Sequence, residues 1–167
     1  MTVSLGGRDS LARVGDGAAH TAYISVVARP LYNRDILRLA ADIPHLGALA
    51  DAGARAERRS PVCGSRVAVD VRLDGEGRVE ALGQEVNACA LGQASAALMG
   101  AHAIGRSPDE LAEARDSLSA YLAGQRDDPG NWPGLDLFDA ARRHPARHPS
   151  ILLAFEAVAD AAGRARG

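Results

Sequence analysis

Aromatic side chains are scarce in this 167-residue sequence: Phe, Tyr and Trp together make up 4%. Its core must therefore be built from Ala, Leu and Val, and the hydrophobic share of 47% is enough to do so. An Ala-rich, aromatic-poor composition favours helices over a β-sandwich. Charge of one sign is also missing, because 19 basic residues against 21 acidic ones leave a net charge of −2. A nucleic-acid binder would show a basic excess or stripe, so no nucleic-acid partner is expected. Nothing draws the chain to an anionic membrane surface. There is no run of about 20 apolar residues, which excludes a membrane-spanning helix. The one apolar run near the start, Ala22 to Ala28, is short, contains Tyr23 and Ser25, and follows no cationic segment. It does not read as a signal peptide, and a cytoplasmic location is expected. Two cysteines are too few for a disulfide framework. In a reducing compartment such a pair more often binds metal or does chemistry. A His-Glu-x-x-His run is absent, which weakens any metallohydrolase reading.

The length fits one domain with a tail. Residues 1–28 have little periodicity and many Gly, Ser and Ala, and are expected to be a poorly ordered extension; residues 29–167 are expected to be a single domain. A helix is predicted over Leu31–Ala40, where Leu31, Ile36, Leu39 and Ala40 can share a face, with Pro44 and Gly47 ending it. Ala54 to Arg59 reads as a charged edge strand. Val67, Val69, Val71 and Leu73 alternate with Arg66, Ala68, Asp70 and Arg72, the pattern of a strand with one apolar face. Asp74-Gly75-Glu76-Gly77 supplies a turn, and residues 78–86 return as a second strand with Val79, Ala81 and Leu82 inward. Such a hairpin needs a third strand or helices over its apolar face. Residues 88–103 are small and apolar almost throughout, as in a buried helix. Ser107-Pro108-Asp109-Glu110 reads as a capping box opening a helix to Leu122. Residues 124–134 read as loop and 135–142 as a short helix. A last amphipathic helix begins near Ser150. The fold class is α+β: a small antiparallel sheet of about three strands, covered on one face by helices.

The two cysteines flank this hairpin. Cys63 lies in Pro61-Val62-Cys63-Gly64 just before the first strong strand, and Cys89 in Asn87-Ala88-Cys89-Ala90 just after the second. A hairpin brings its outer ends together, so the two thiols can meet at one end of the sheet. Cys89 would also sit at a helix N-terminus, where free N–H groups favour a thiolate. Gly64, Ala88, Ala90 and Gly92 are small enough to leave room for a ligand. A thiolate metal or sulfur site can arise in this way without a Cys-x-x-Cys motif.

Pro-Val-Cys-Gly before a strand, then small-Cys-small opening an Ala/Ser-rich helix, resembles the IscU/SufU/NifU N-terminal scaffold family. Leu31-Tyr32-x-x-Asp35-Ile36-Leu37 resembles that family's first helix, and Ser107-Pro108-Asp109-Glu110-Leu111 a later one. Pro145-Ala146-Arg147-x-x-Ser150 resembles the Pro-Ala-Arg-x-x-Cys segment that opens the last. The resemblance covers roughly residues 31 to 160. It implies a SufE/NifU-like fold and a scaffold or carrier, not an enzyme, that binds iron or a 2Fe–2S cluster; some members hold zinc. It also implies a cysteine desulfurase and cluster-acceptor proteins as partners. The family uses three cysteines and usually an aspartate. By the resemblance the first two cysteines are Cys63 and Cys89, the third falls on Ser150 and the aspartate on Ser65.

A neutral hydroxyl is a poor ligand beside a thiolate. The candidate ligands are therefore Cys63 and Cys89, with His148 and Ser150 as weaker candidates and His144 further off. A homodimer could complete a set of four sulfurs. Each residue also has a plainer reading. Cys63 and Cys89 could be buried filler, His148 a solvated loop histidine, Ser150 a helix N-cap, and Ser65 a solvent-facing strand residue. For Ser150, Ser65 and His148 the plainer reading is favoured; for the cysteine pair the site is. Tyr32, His45 and His102 have no constellation around them, and Arg142, Arg143 and Arg147 read as a solvated basic face. Two further functions remain: a degenerate, metal-free member acting as an interaction or regulatory protein, and a sulfur carrier with a persulfide on one cysteine.

Overall fold

In a computed structural model of the chain, which describes residues 30–167, the alternating valines form the centre of a three-stranded antiparallel sheet. The extension expected over residues 1–28 lies outside the described residues. The strands are β1 (Ala54–Arg59), β2 (Arg66–Leu73) and β3 (Val79–Asn87), in the order β1-β2-β3. Val67, Val69 and Val71 are wholly buried on one face, while β1, as expected of an edge, buries only Ala56. The turn between β2 and β3 is held by Asp74, whose Oδ1 accepts from Glu76 N and Arg78 N at 2.8 and 3.0 Å. Gly77 there has φ +79°, which glycine adopts without strain.

One expectation about the sheet needs correction. Ala81 does not face the core. Arg72 pairs with Ala81 and Leu73 with Val79, so Glu80 is an extra residue and the strand carries a bulge. Beyond it the alternation changes phase, and Leu82, opposite Val71, takes the inward place. The other face of β2 is not free either. Ala68 and Asp70 are buried, and Asp70 pairs with Arg55 at 3.1 Å and accepts from Leu49 N at 3.0 Å.

The helices are α1 (Arg34–Ala40), α2 (Ala90–His102), α3 (Pro108–Leu122) and α4 (His148–Ala165). The first starts three residues later than its apolar pattern, because Asn33 caps it: Asn33 Oδ1 accepts from Ile36 N at 3.0 Å. The second is buried over most of its surface, including Leu91, Ala94, Ala96 and Met99. At the start of α3, Ser107 Oγ accepts from Glu110 N and Glu110 Oε2 from Ser107 N, the expected capping box. The loop that follows is anchored by Trp132, whose indole N–H donates to Leu98 O at 3.0 Å and whose ring meets Phe155 edge-on at 5.3 Å. The short helix expected over residues 135–142 is a 3-10 helix, Leu135–Arg143.

The last helix packs on β1 and β2 with one side and on α2 and α3 with the others. Its buried face includes Ile151, Leu153, Phe155 and Val158, each contributing about 1.5–3 kcal/mol on burial. It begins at His148 with Pro149 in its first turn, so Ser150 is not the N-cap. Proline fits a first turn because no N–H is needed there. Ser150 is thereby carried inside the helix. No described helix is long and apolar enough to cross a membrane.

Candidate functional site

The register of the sheet decides where the cysteines go. Arg59 pairs with Arg66, and Arg66 with Asn87, so the chain leaves β1, enters β2 and leaves β3 at one end. Residues 60–65 make the β1–β2 connection. Ser60 N donates to Ser65 O at 2.8 Å, and Ser60 Oγ accepts from Val62 N and Cys63 N at 3.3 and 3.4 Å. Gly64, at φ +71°, lets the turn close. Cys63 is thus held out in solvent, while Ser65 behind it is only 5% exposed.

On the other side of the site, Cys89 stands at the N-cap position of α2, half-buried, with no capping bond from its side chain. Ser150, 1% exposed, comes from the first turn of α4. Gly92 makes that approach feasible: a Cβ there would lie 2.9 Å from Ser150 Oγ and 2.7 Å from the Ala88 Cβ. The space that Gly92 was expected to leave for a ligand is taken by Ser150.

These side chains form one continuous series. Cys63 Sγ lies 3.0 Å from Ser65 Oγ, Ser150 Oγ donates to Ser65 Oγ at 3.4 Å, and Cys89 Sγ lies 3.1 Å from Ser150 Oγ. Each hydroxyl has one proton. With Ser150 donating to Ser65, the Ser65 proton is directed at the Cys63 sulfur, and the Cys89 S–H is the donor to Ser150. The Cys63 thiol is correspondingly acidified, to about 7, first by the Ser60 hydroxyl and then by the Ser65 hydroxyl and backbone N–H, against a smaller opposing effect of burial. No residue pattern around Cys63 points to this acidity. Ser60, itself buried, was also missed; the Ser-Pro start of the turn is the signal for it.

The structure corrects three further expectations. Ser65 is a buried partner of both sides of the site, not a solvent-facing strand residue. Ser150 touches a thiol instead of capping a helix. His148 is half-buried, and its Nε2 donates to Ala141 O at 2.8 Å, which ties it to the 3-10 helix. Among the described residues no three of His, Cys, Asp and Glu come together as a ligand group, so His148 does not join the two cysteines.

The fold and sequence can be set beside a solved structure, the N-terminal part of a nitrogen-fixing NifU-like protein from Brucella abortus. It is 38% identical, the match covers 81% of this chain and 94% of that one, and the TM-score is 0.76. The chain belongs to the IscU/SufU/NifU-like family. Two further structures share the fold. One is described as an iron–sulfur cluster assembly scaffold for the SUF system, from Fervidobacterium islandicum AW-1: 22% identity, 79% and 96% coverage, TM-score 0.73. The other is a hypothetical protein at 25% identity, with 77% and 94% coverage and a TM-score of 0.69. No protein-family model and no curated protein matches the chain.

In this IscU/SufU/NifU-like chain, the four positions that the resemblance gives to ligands are the four members of the hydroxyl-linked series. Their chemistry is changed, however. Two thiols remain, and two neutral hydroxyls stand where an aspartate and a third cysteine are expected. Two thiolates suit iron or zinc, but the hydroxyls do not complete a four-donor set within one chain.

Proposed function

We propose that this chain is a scaffold or carrier in iron–sulfur cluster assembly, not an enzyme, and that it holds iron or a 2Fe–2S cluster as cargo through the Cys63 and Cys89 thiolates. The observation that carries this reading is the series of contacts joining both sulfurs through Ser65 and Ser150. An acidified Cys63 presents a thiolate near neutral pH without a strong base. Hydrogen bonds from hydroxyls to a sulfur hold its charge and weaken its donation to a metal. That favours loose retention, which suits a protein that must pass its cargo on. A cysteine desulfurase as sulfur source and cluster-acceptor proteins as recipients go with this reading, as does a cytoplasmic setting; zinc is an alternative guest.

Anaerobic reconstitution with ferric iron and sulfide tests it, with iron content and visible absorption measured on the wild type and Cys63→Ser in parallel. The wild type should take up iron with sulfur-to-iron charge-transfer bands, and the variant should lose most of both. A wild type that takes up no metal would end the reading in favour of a metal-free interaction or regulatory role. The exposure and acidity of Cys63 favour a second reading, sulfur transfer. In it, the Cys63 thiolate attacks the outer sulfur of a desulfurase persulfide, forms a Cys63 persulfide, and the desulfurase thiolate leaves. A gain of one sulfur atom at Cys63 in the mass spectrum, after incubation with desulfurase and free cysteine, would mark it.

A further inference from the structure

The chain has two cysteines, so one disulfide within it is possible, between Cys63 and Cys89. The two thiols are unequal. Cys63 is exposed on the β1–β2 connection, whereas Cys89 is half-buried at the start of α2. Both converge on a single oxygen. Ser150 Oγ lies 3.1 Å from Cys89 Sγ, and the same hydroxyl acts on the Cys63 sulfur. An exposed thiol backed by a sheltered one suits stepwise oxidation, in which the first is attacked by the oxidant and the second resolves it.

The turn that carries Cys63 is lightly held. Val62 N, Cys63 N and Gly64 N donate to Ser60 at 3.3, 3.4 and 3.3 Å. All three are longer than the usual N–H···O separation of about 2.9 Å. Pro61, Val62, Cys63 and Gly64 are exposed, and nothing lies within 4 Å of where a Cβ on Gly64 would be. An advance of Cys63 toward Cys89 therefore strains three long hydrogen bonds and meets no packed neighbour at Gly64. Cys89, at the N-cap position of α2, is the fixed member of the pair.

We propose that Cys63 and Cys89 form a hydroperoxide-sensitive thiol pair, in which Cys63 is oxidised first and Cys89 resolves it to a disulfide within the chain. The Cys63 sulfur attacks hydrogen peroxide and the O–O bond breaks. Cys63 becomes a sulfenic acid, and the departing hydroxide takes up the thiol proton and leaves as water. The Cys89 sulfur then attacks the Cys63 sulfur, so that the S–S bond forms and the S–O bond breaks. The Cys89 proton passes to Ser150, Ser150 passes its own to Ser65, and Ser65 delivers one to the departing oxygen, which leaves as a second water. That path follows the donor direction of the resting site, from Cys89 through Ser150 and Ser65 to Cys63. Two thiols and one peroxide thus give one disulfide and two waters. The oxidised pair offers no thiolate, so on the scaffold reading above the site refuses cargo until a thiol reductant reopens it; the oxidation itself does not depend on that reading.

Treating the metal-free full chain with equimolar hydrogen peroxide tests this, with intact mass, free-thiol content and dimedone trapping of sulfenic acid as readouts. The wild type should lose both free thiols and two hydrogen atoms of mass, and yield a peptide linked through Cys63 and Cys89. It should run as a single chain in denaturing electrophoresis without reductant, and dithiothreitol should restore both thiols. Cys89→Ser should instead give a dimedone adduct at Cys63. Cys63→Ser should keep its thiol over the time in which the wild type loses both. Ser150→Ala should form the Cys63 sulfenic acid as fast as the wild type but hold it long enough for dimedone to capture it. A wild type whose Cys63 takes dimedone while Cys89 stays free, or that links chain to chain, overturns the resolving pair. A Cys63→Ser chain that loses its thiol as fast as the wild type overturns the order of attack, and a Ser150→Ala chain that closes its disulfide at the wild-type rate overturns the proton path. None of these readouts involves iron, so failure here leaves the scaffold reading to its own reconstitution test.

Discussion

At the scale of single residues, the four positions of the site differ in how much of their role could be read in advance. That Cys63 and Cys89 come to one end of the sheet was legible, because a hairpin must bring its outer ends together. Ser65 and Ser150 were not. Serine is common at helix starts and strand ends, and nothing local separates a capping serine from one buried against a sulfur. Ser150 escapes the cap role only because α4 begins at His148, and that start depends on how Pro145 and Pro149 are accommodated. The acidity of Cys63 is the most direct property to test. In metal-free protein, with Cys89 replaced by Ser to leave one thiol, the iodoacetamide rate should rise with pH through a midpoint near 7. A stabilised thiolate forms below the pH at which a free thiol ionises, so reaction should already be fast at neutral pH. Ser60→Ala removes the largest stabilising hydrogen bond and should shift the midpoint upward. A midpoint close to that of an ordinary cysteine, unmoved by Ser60→Ala, would contradict the geometry of the turn.

At the scale of elements, the strands, the buried helix and the capping box were legible because each has a short-range cause. Alternation specifies β2, lack of charge specifies α2, and Ser107 with Glu110 specifies the start of α3. The bulge at Glu80 was not legible, since it depends on register between two strands and leaves no local mark; hence Ala81 does not take the inward place expected of it, while Leu82 does. The same limit applies to Gly92, which reads as one more small residue in an Ala-rich helix. Its importance lies in the crossing with α4. Gly92→Ala places a methyl group 2.7 Å from the Ala88 Cβ, and 2.9 and 3.1 Å from the hydroxyl and backbone oxygens of Ser150. Although alanine is the better helix former, the crowding should win, costing about 1–3 kcal/mol in chemical denaturation. By contrast Ser107→Ala loses only the cap, and should cost about 1 kcal/mol with no effect on the cysteine site. Gly92→Ala should also slow alkylation of Cys89, which a cap mutation on a different helix would leave alone.

On the scale of the whole molecule, α4 has two duties. Its first turn brings Ser150 to the thiols, and its body supplies the core that joins the sheet to α2 and α3. The site and the core are nevertheless built differently. Phe155 is wholly buried and meets Trp132 edge-on, while Cys63 stands on an exposed turn whose shape is set by Ser60 and Gly64. Stability and site chemistry should therefore separate. Phe155→Ala opens a cavity at the centre of the aromatic-poor core and should cost about 3–5 kcal/mol. For a domain of this size that is a fall of roughly 10 °C or more in the melting temperature of the metal-free protein. Cys63→Ser keeps the turn and should leave that temperature within about 2 °C, as exposed substitutions do. Scanning calorimetry on both variants decides the matter. If Cys63→Ser fell as far as Phe155→Ala, the thiol would have to be part of the framework, and the exposed turn could not be the ligand-facing side of the site.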